Sequence, residues 1–412
     1  MSLRIIHTAD WHLGQTFFGY EREEEHEAFL TWLVDTLAEQ QTDVLLIAGD
    51  VFDVANPSAS AQRRFFRFLR EANKRNPTLQ IIIIAGNHDS AARLEAPAPL
   101  LEELNTFIIG TIRRTKEGII DYDSLLIPLY DPEGNRKAWC MAVPFLRQGD
   151  YPPAEETQST YVDGIGRMYR QLYKVALSKQ EPGEAIIAMG HLHTTGAELS
   201  EDDRSERIIM GGLESVPVDS FDSGIAYTAL GHIHKAQRVG SRNAVRYSGS
   251  PLPMSFSEAN YRHQVVSVII DEKETRIEPI PIPKTVELLR IPPVPAPLEE
   301  VLEKLSSLPD LKEGEIPLTP FLEVRVLLSG PDPALRHKIE ESIKGKAVRL
   351  TSITSSYPKQ GKDEQLRPLT YSDLQTIDPL YMLKHTYTSR YGEGLPEELE
   401  ELFNEVVREV TA

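Results

Sequence analysis

Five short clusters carry side chains suited to holding metal: Asp10-Trp11-His12, Gly49-Asp50-Val51-Phe52-Asp53, Gly86-Asn87-His88-Asp89, Gly190-His191 and Gly231-His232-Ile233-His234. Carboxylate oxygens and neutral imidazole nitrogens, without thiolate, suit borderline divalent ions such as Mn²⁺, Fe²⁺ or Zn²⁺. A carboxylate shared by two such cations holds them roughly 3.5–4 Å apart and makes a bridging water a usable nucleophile near neutral pH, which is hydrolytic chemistry. In an extended segment, Asp10-x-His12 and His232-x-His234 each place both side chains on one face. Taken singly, Asp10 or Asp50 reads as a helix cap or turn residue, and Asn87 as a turn residue. Their recurrence as a set points to metal. On spacing alone, Gly190-His191-Leu192-His193 is a second Gly-His-x-His, so either copy is open as a terminal ligand pair.

These clusters need elements that bring them together. Apolar, β-rich runs precede them at Leu3–His7, Val44–Ala48 and Ile81–Ala85, and later at Ala138–Pro144, Ala185–Met189, Tyr227–Leu230 and Val265–Ile270. Phe29, Leu30, Leu33, Val34 and Leu37 recur at helical spacing between the first two runs, and Phe65, Phe66, Leu69 and Ala72 between the next two. A further helix is expected near Ile165–Leu177. The opening is therefore βαβαβ with parallel strands, and such sheets gather their sites at the carboxyl ends of the strands.

Seven prolines between Pro279 and Pro297 read as a connection between domains. Beyond it, Val286–Ile291, Leu298–Leu308, Phe321–Leu328, Ala334–Ile343 and Val348–Ser355 repeat a compact βαβαβ pattern. After a polar stretch, Lys359–Pro368, Leu380, Leu383, Tyr387 and Tyr391 form one helical stripe. Gly392 and Gly394 break it, and Pro396 opens a second carrying Leu399, Leu402, Phe403, Val406 and Val410. Such a hairpin either packs on the chain's own body or docks on another protein. The division expected is 1–284, 285–360 and 361–412.

In order, the five clusters follow the motifs of the calcineurin-like metallophosphoesterases. Leu3-Arg4-Ile5-Ile6-His7-Thr8-Ala9-Asp10-Trp11-His12-Leu13-Gly14, Gly49-Asp50-Val51-Phe52-Asp53 and Tyr247-Ser248-Gly249-Ser250-Pro251 resemble the SbcD branch of that superfamily, and the likeness spans nearly the whole chain. It implies an α/β fold, a metallophosphoesterase β-sandwich flanked by helices, with a small α/β capping domain and a C-terminal helical hairpin. It implies Asp10, His12, Asp50 and His234 at one metal, and Asp50, Asn87, His191 and His232 at the other, Asp50 bridging. Two divalent ions, Mn²⁺ foremost, are the implied cofactors. His88 takes the place of the catalytic histidine, with Asp89 to orient it. An isolated ligand histidine precedes the terminal pair in the family, so His193 is left as an ordinary polar residue, and Asp53 is kept out of the ligand set.

The resemblance further implies a DNA nuclease of repair, recombination and replication, a 3′→5′ exonuclease on duplex ends and an endonuclease on single strands and hairpins. Its partner would be an SbcC-like SMC-family ATPase whose coiled coil receives the C-terminal helices. Two nuclease chains would form a homodimer through helices including parts of Gln62–Asn73, within a heterotetramer. The rivals are a stand-alone phosphodiesterase or phosphatase on the same ligands, and a non-catalytic scaffold, which would have lost ligands.

Composition bounds these readings. A lone Cys140 excludes an internal disulfide or thiolate zinc site and fits a reducing compartment. The amino terminus turns polar by His7, and no apolar run nears the roughly 18 residues of a membrane span, so a cytoplasmic protein with no membrane contact is expected. A net charge of −18 disfavours DNA binding at first sight. By region it divides into −11 for 1–284, −1 for 285–360 and −6 for 361–412. Two divalent metals offset part of the first share, and the last lies in the segment least expected to touch DNA. The remainder implies weak, salt-sensitive DNA binding and dependence on the partner.

Overall fold

The computed structural model describes residues 2–153, 161–198, 215–271, 274–312, 318–357, 379–391 and 394–411. Its chain divides into two compact units, Met1–Thr285 and Val286–Ala412.

The first unit is built on two six-stranded sheets. One runs in the order Thr275–Pro281, Gln264–Ile270, Leu3–Thr8, Val44–Ala48, Gln80–Ile84, Thr106–Ile109. The other runs Gln237–Val239, Arg242–Tyr247, Tyr227–Gly231, Ala185–His191, Arg136–Ala142, Leu126–Tyr130. Four neighbouring strands of each sheet are parallel, Leu3–Thr8 through Thr106–Ile109 in the first and Arg242–Tyr247 through Arg136–Ala142 in the second. Alternation along the strands divides the core between two faces. Val44, Leu46, Ala48, Ile82 and Ile84 join Ile187, Ala229 and Cys140 of the second sheet in one apolar cluster, whereas Leu45, Ile47, Ile81 and Ile83 pack with Phe29, Leu33, Phe65 and Leu69. The latter belong to the crossover helices Glu23–Glu39 and Ala59–Arg75. The sandwich flanked by helices is thus the expected calcineurin-like fold.

Two details depart from the sequence reading. In the helix Ala59–Arg75 the buried aromatics are Phe65 and Phe68, while Phe66 faces outward. Most of the prolines sit inside strands rather than in a connection. Pro279 and Pro281 lie in the edge strand Thr275–Pro281, and Pro292, Pro293, Pro295 and Pro297 in the edge strand Leu288–Pro297, whose register shifts between Ile291 and Ala296. Edge strands and bulges are where a missing N–H is tolerated.

The second unit carries a parallel three-stranded sheet, Leu288–Pro297, Phe321–Leu327 and Arg349–Ser356, with helices Leu298–Ser306 and Leu335–Ser342. Val301, Leu305, Leu322, Val324, Val326 and Ile339 close its core. The helices Pro379–Tyr391 and Glu397–Thr411 follow, linked by a 2.6 Å ion pair between Lys384 and Glu400. Leu399, Leu402 and Val406 are 43%, 56% and 49% exposed, so this part of the apolar stripe is left uncovered. The expected polar stretch Lys359–Pro368, the first part of 361–412 and Gly392 lie outside the described residues.

Candidate metal centre

Every cluster stands where a parallel strand ends. Asp10 and His12 follow Leu3–Thr8, Asp50 follows Val44–Ala48, and Asn87 and His88 follow Gln80–Ile84. His191 is the last residue of Ala185–His191, and His232 and His234 follow Tyr227–Gly231. Both sheets therefore deliver side chains to one end of the sandwich.

The backbone there is held in a costly conformation. Asp10, His12, Asp50 and His232 have φ of 54°, 45°, 48° and 100°, the left-handed region that side chains with a Cβ avoid. The fold compensates by zipping the first two loops together. Asp10, His12 and Leu13 donate their N–H groups to the carbonyls of Gly49, Asp50 and Val51, each at 3.0 Å. Trp11 anchors the turn from behind, fully buried, edge-on to Phe29, Phe65 and Phe68, and donating from Nε1 to the Thr8 hydroxyl at 2.9 Å. Two glycines admit the side chains. A Cβ on Gly86 would lie 2.1 Å from Asp50 Oδ1, and one on Gly49 (φ +92°) 2.2 Å from the His191 ring.

Asp50 sits centrally. Its Oδ2 lies 3.2 Å from His191 Nε2 and 3.8 Å from His12 Nε2, while Oδ1 accepts the His88 N–H at 2.9 Å. Asn87 Oδ1 lies 2.9 Å from His191 Nε2 and 3.0 Å from His232 Nδ1. Three sets bring their donor atoms within 4.8 Å of one another: Asp10, His12 and His234; Asp10, Asp50 and His191; His12, Asp50 and His88. His193 is in none of them. Asp10 Oδ2 and His12 Nε2 are buried and, among the described residues, have no hydrogen-bond partner, as a metal ligand's donor atoms would. The oxygen and imidazole donor set fits a divalent ion. Asn87, His88 and His232 are only half-buried, so the centre opens on their side.

The imidazoles share a further feature. His191 Nδ1 donates to the Ala48 carbonyl and His88 Nδ1 to the Asp53 carbonyl, both at 2.8 Å. His234 Nδ1 faces Glu258 Oε1 at 3.2 Å, and His12 Nδ1 faces Asp53 Oδ1 at 3.3 Å. Carbonyls and carboxylates only accept, so Nδ1 carries a proton in each, and in the neutral imidazole Nε2 is the nitrogen left with a donor pair for the centre.

Here the role expected of Asp89 is corrected. Its carboxylate accepts the N–H groups of Val51, Phe52 and Gly86 at 3.2, 3.0 and 2.9 Å, so it ties the Asp50 loop to the Asn87 loop. The group that orients His88 is the Asp53 carbonyl. Sequence reasoning also passed over Glu258, which has no motif around it.

The charges are mutually dependent. Burial opposes ionisation of Asp50, yet His191, His12 and His88 hold its carboxyl well below the usual carboxylate range. Burial likewise works against charge on His191, but Asp50 pushes its pKa up to about 10. Burial, reinforced by the Asp50 charge, raises Asp89 to about 6. The pocket demands positive charge beside Asp50. His7, by contrast, is a packing group: fully buried against the Tyr227 hydroxyl, with burial lowering its pKa to about 3.

Residues 3–236 match the family described as calcineurin-like phosphoesterase, and residues 284–391 match the one described as type 5 capsule protein repressor C-terminal domain. The chain is 39% identical over 376 residues to the SbcD component of the SbcCD nuclease of Rhodobacter capsulatus, covering 89% of this chain and 90% of that protein. It is 37% identical over 273 residues to the SbcD component of Escherichia coli K12, 64% of each chain. The Bacillus subtilis SbcD component is 34% identical over 281 residues, 66% of each chain.

Proposed function

The chain belongs to the calcineurin-like phosphoesterases and, within them, to the SbcD nucleases; from that premise we propose a metal-dependent DNA nuclease that works with an SbcC-like SMC-family ATPase. It hydrolyses phosphodiester bonds, acting 3′→5′ on duplex ends and endonucleolytically on single strands and hairpins. The observation that carries the hydrolytic reading is Asp50, a buried carboxylate within reach of His12, His88 and His191 together. Asp10, His12, Asp50 and His234 would hold one ion and Asp50, Asn87, His191 and His232 the other, Mn²⁺ being the favoured metal. When bound, the ions supply Lewis-acid charge at the phosphoryl oxygens and an acidified water.

The chain's own residues do the rest. Asp89 locks the loops that carry Asp50 and Asn87, so the ligand spacing is set before substrate arrives. His88, with Nδ1–H held by Asp53, presents Nε2 at the half-buried edge, where the doubly protonated ring can donate its Nε2–H to the phosphoryl oxygens or give that proton to the leaving oxygen. A stand-alone phosphodiesterase or phosphatase would share these groups but has no need of the second unit. With Mn²⁺, the purified chain should cleave a DNA hairpin and leave a cyclic nucleotide and a phosphoprotein intact. Preference for either of those would overturn the nuclease reading.

Residues 1–284 form the nuclease domain in this proposal, 285–360 a capping domain and 361–412 the partner-binding segment. The uncovered Leu399, Leu402 and Val406 support docking on the ATPase by a helix-in-groove mode. Changing all three to Glu should abolish co-purification with the ATPase and leave Mn²⁺-dependent cleavage by the isolated chain at wild-type level. An intact complex would overturn the assignment. On the helix Ala59–Arg75, the outward Phe66 with Arg63 and Arg70 supports the expected homodimer face within a heterotetramer. Among the described residues no helix is long and apolar enough to cross a membrane, and a cytoplasmic location is part of the proposal.

A further inference from the structure

Glu258 lies beyond the residues matched to the phosphoesterase family, in the short turn Phe256–Glu258, and has no exposed surface. One carboxylate oxygen meets His234 Nδ1 at 3.2 Å and the other accepts the Met254 N–H at 2.8 Å. A carboxylate is buried at great cost unless its oxygens are engaged, and here both are. The segment leading to it is pinned as well. Arg22, itself buried, donates to the Pro253 carbonyl at 2.7 Å while gripping Glu25 with two N–H groups at 3.0 and 2.7 Å. The same guanidinium reaches Gln15 Oε1 at 2.7 Å, just beyond the His12 loop. His263 Nδ1 donates to the Ser250 carbonyl at 2.8 Å. Glu258 is thus held from behind, with one task left on the side of the metal centre.

We infer that Glu258 is the positioning residue that sets metal affinity at the Asp10, His12, Asp50 and His234 group, by fixing His234 with its proton on Nδ1 and its donor pair on Nε2. This rests on the assignment of His234 as a ligand. His191 and His88 are backed by neutral carbonyls, and His12 by the Asp53 carboxylate, whose side chain is 30% exposed. Of these four imidazoles, His234 alone backs onto a carboxylate with no exposed surface. A desolvated carboxylate behind a ligating imidazole both orients the ring and raises its basicity, and removing such a partner costs about 10–100-fold in metal affinity.

Glu258→Gln tests this at constant shape. The amide has one acceptor oxygen for two N–H groups. If that oxygen stays on His234, the amide nitrogen faces the Met254 N–H; if it turns, it drives the His234 proton onto Nε2 and removes the ligating pair. In calorimetric titration of the full chain with Mn²⁺ after EDTA treatment, wild type should show two sites. The variant should show one of them weakened about 10–100-fold and the other unchanged, with cleavage recovering at saturating Mn²⁺. Wild-type affinity at both sites, or a lowered Tm in EDTA with unchanged affinities, would overturn the inference. If the variant fails to fold, ¹⁵N-histidine spectra of the wild type decide: a proton on His234 Nδ1 supports it and one on Nε2 overturns it. His234→Ala is titrated alongside. Retention of both sites there removes the ligand assignment itself, a failure distinct from that of Glu258.

Discussion

Asp50→Asn should abolish Mn²⁺-dependent DNA cleavage, lowering the rate at least about a thousandfold, or roughly 4 kcal/mol, and should erase both Mn²⁺ sites from a calorimetric titration. The two oxygens of Asp50 face different groups of the centre, Oδ2 toward His191 and His12 and Oδ1 toward the His88 N–H. An asparagine can keep the second of these bonds only by turning its amide nitrogen toward the imidazoles. That removes the charge and sets a donor where the two proposed cations would need an acceptor. Asp89 cannot substitute, because its carboxylate is committed to three backbone N–H groups, and one oxygen of Asp10 already accepts the His232 N–H at 2.9 Å. The fold should survive, since Asn retains the shape and relieves the Asp50 charge that helps raise Asp89. The sign of the pH effect is fixed by the same contacts. Asp50 is held below its ordinary range, so its contribution to stability is full above the unfolded carboxylate value near 4 and is lost as pH falls toward its folded value. The wild-type advantage over Asp50→Asn in EDTA should therefore shrink on acidification, and a mutant that keeps either Mn²⁺ site at wild-type affinity would refute the shared-ligand role.

Much of this centre was legible because its signals are local. Each cluster follows a buried strand run, four of the five with a glycine beside the ligand type. The extended geometry expected of Asp10-x-His12 is not what forms, since both residues follow the strand at positive φ, with Trp11 between them buried against the helices. Parallel crossovers then require the strand ends to lie on one side. What was missed is non-local or carried by backbone atoms. Asp89 adjoins His88 in sequence, but three N–H groups from two loops capture its carboxylate, and nothing in Gly86-Asn87-His88-Asp89 announces them. The orienting acceptor of His88 is a main-chain carbonyl, to which side-chain spacing is blind. Glu258 stands 24 positions after the histidine it holds, in a polar stretch that reads as loop. The prolines misled for a related reason: composition marks a break in pairing, yet a strand with one neighbour needs only half its hydrogen bonds. Exposure of the Leu399 stripe also had to be seen, because periodicity fixes a face and not what covers it.

His88→Ala should lower kcat by about 10²–10⁴-fold, the range for removal of a positioned acid or base, while both Mn²⁺ sites and the KM for DNA stay near wild type. The opposing possibility is concrete, since His88 also falls within 4.8 Å of His12 and Asp50 donor atoms and would then be a ligand. One contact weighs against ligation. Asp50 Oδ1 is already engaged by the His88 backbone N–H, which places that residue's main chain, and not its ring, against the shared carboxylate. The ring stands edge-on to His12 with centroids 4.8 Å apart and is half-buried, on the open side of the centre. Its Nδ1 donates to the carbonyl of Asp53, the residue whose carboxylate also faces His12, so one residue orients both imidazoles. An acid must be mobile in proton and fixed in place, and this arrangement leaves Nε2 free to exchange with substrate at the open edge. The two roles separate in one pair of measurements. Loss of kcat with two intact Mn²⁺ sites assigns His88 to proton donation or charge stabilisation. Loss of a Mn²⁺ site in proportion to activity would make it a ligand, and unchanged kcat would remove it from the chemistry.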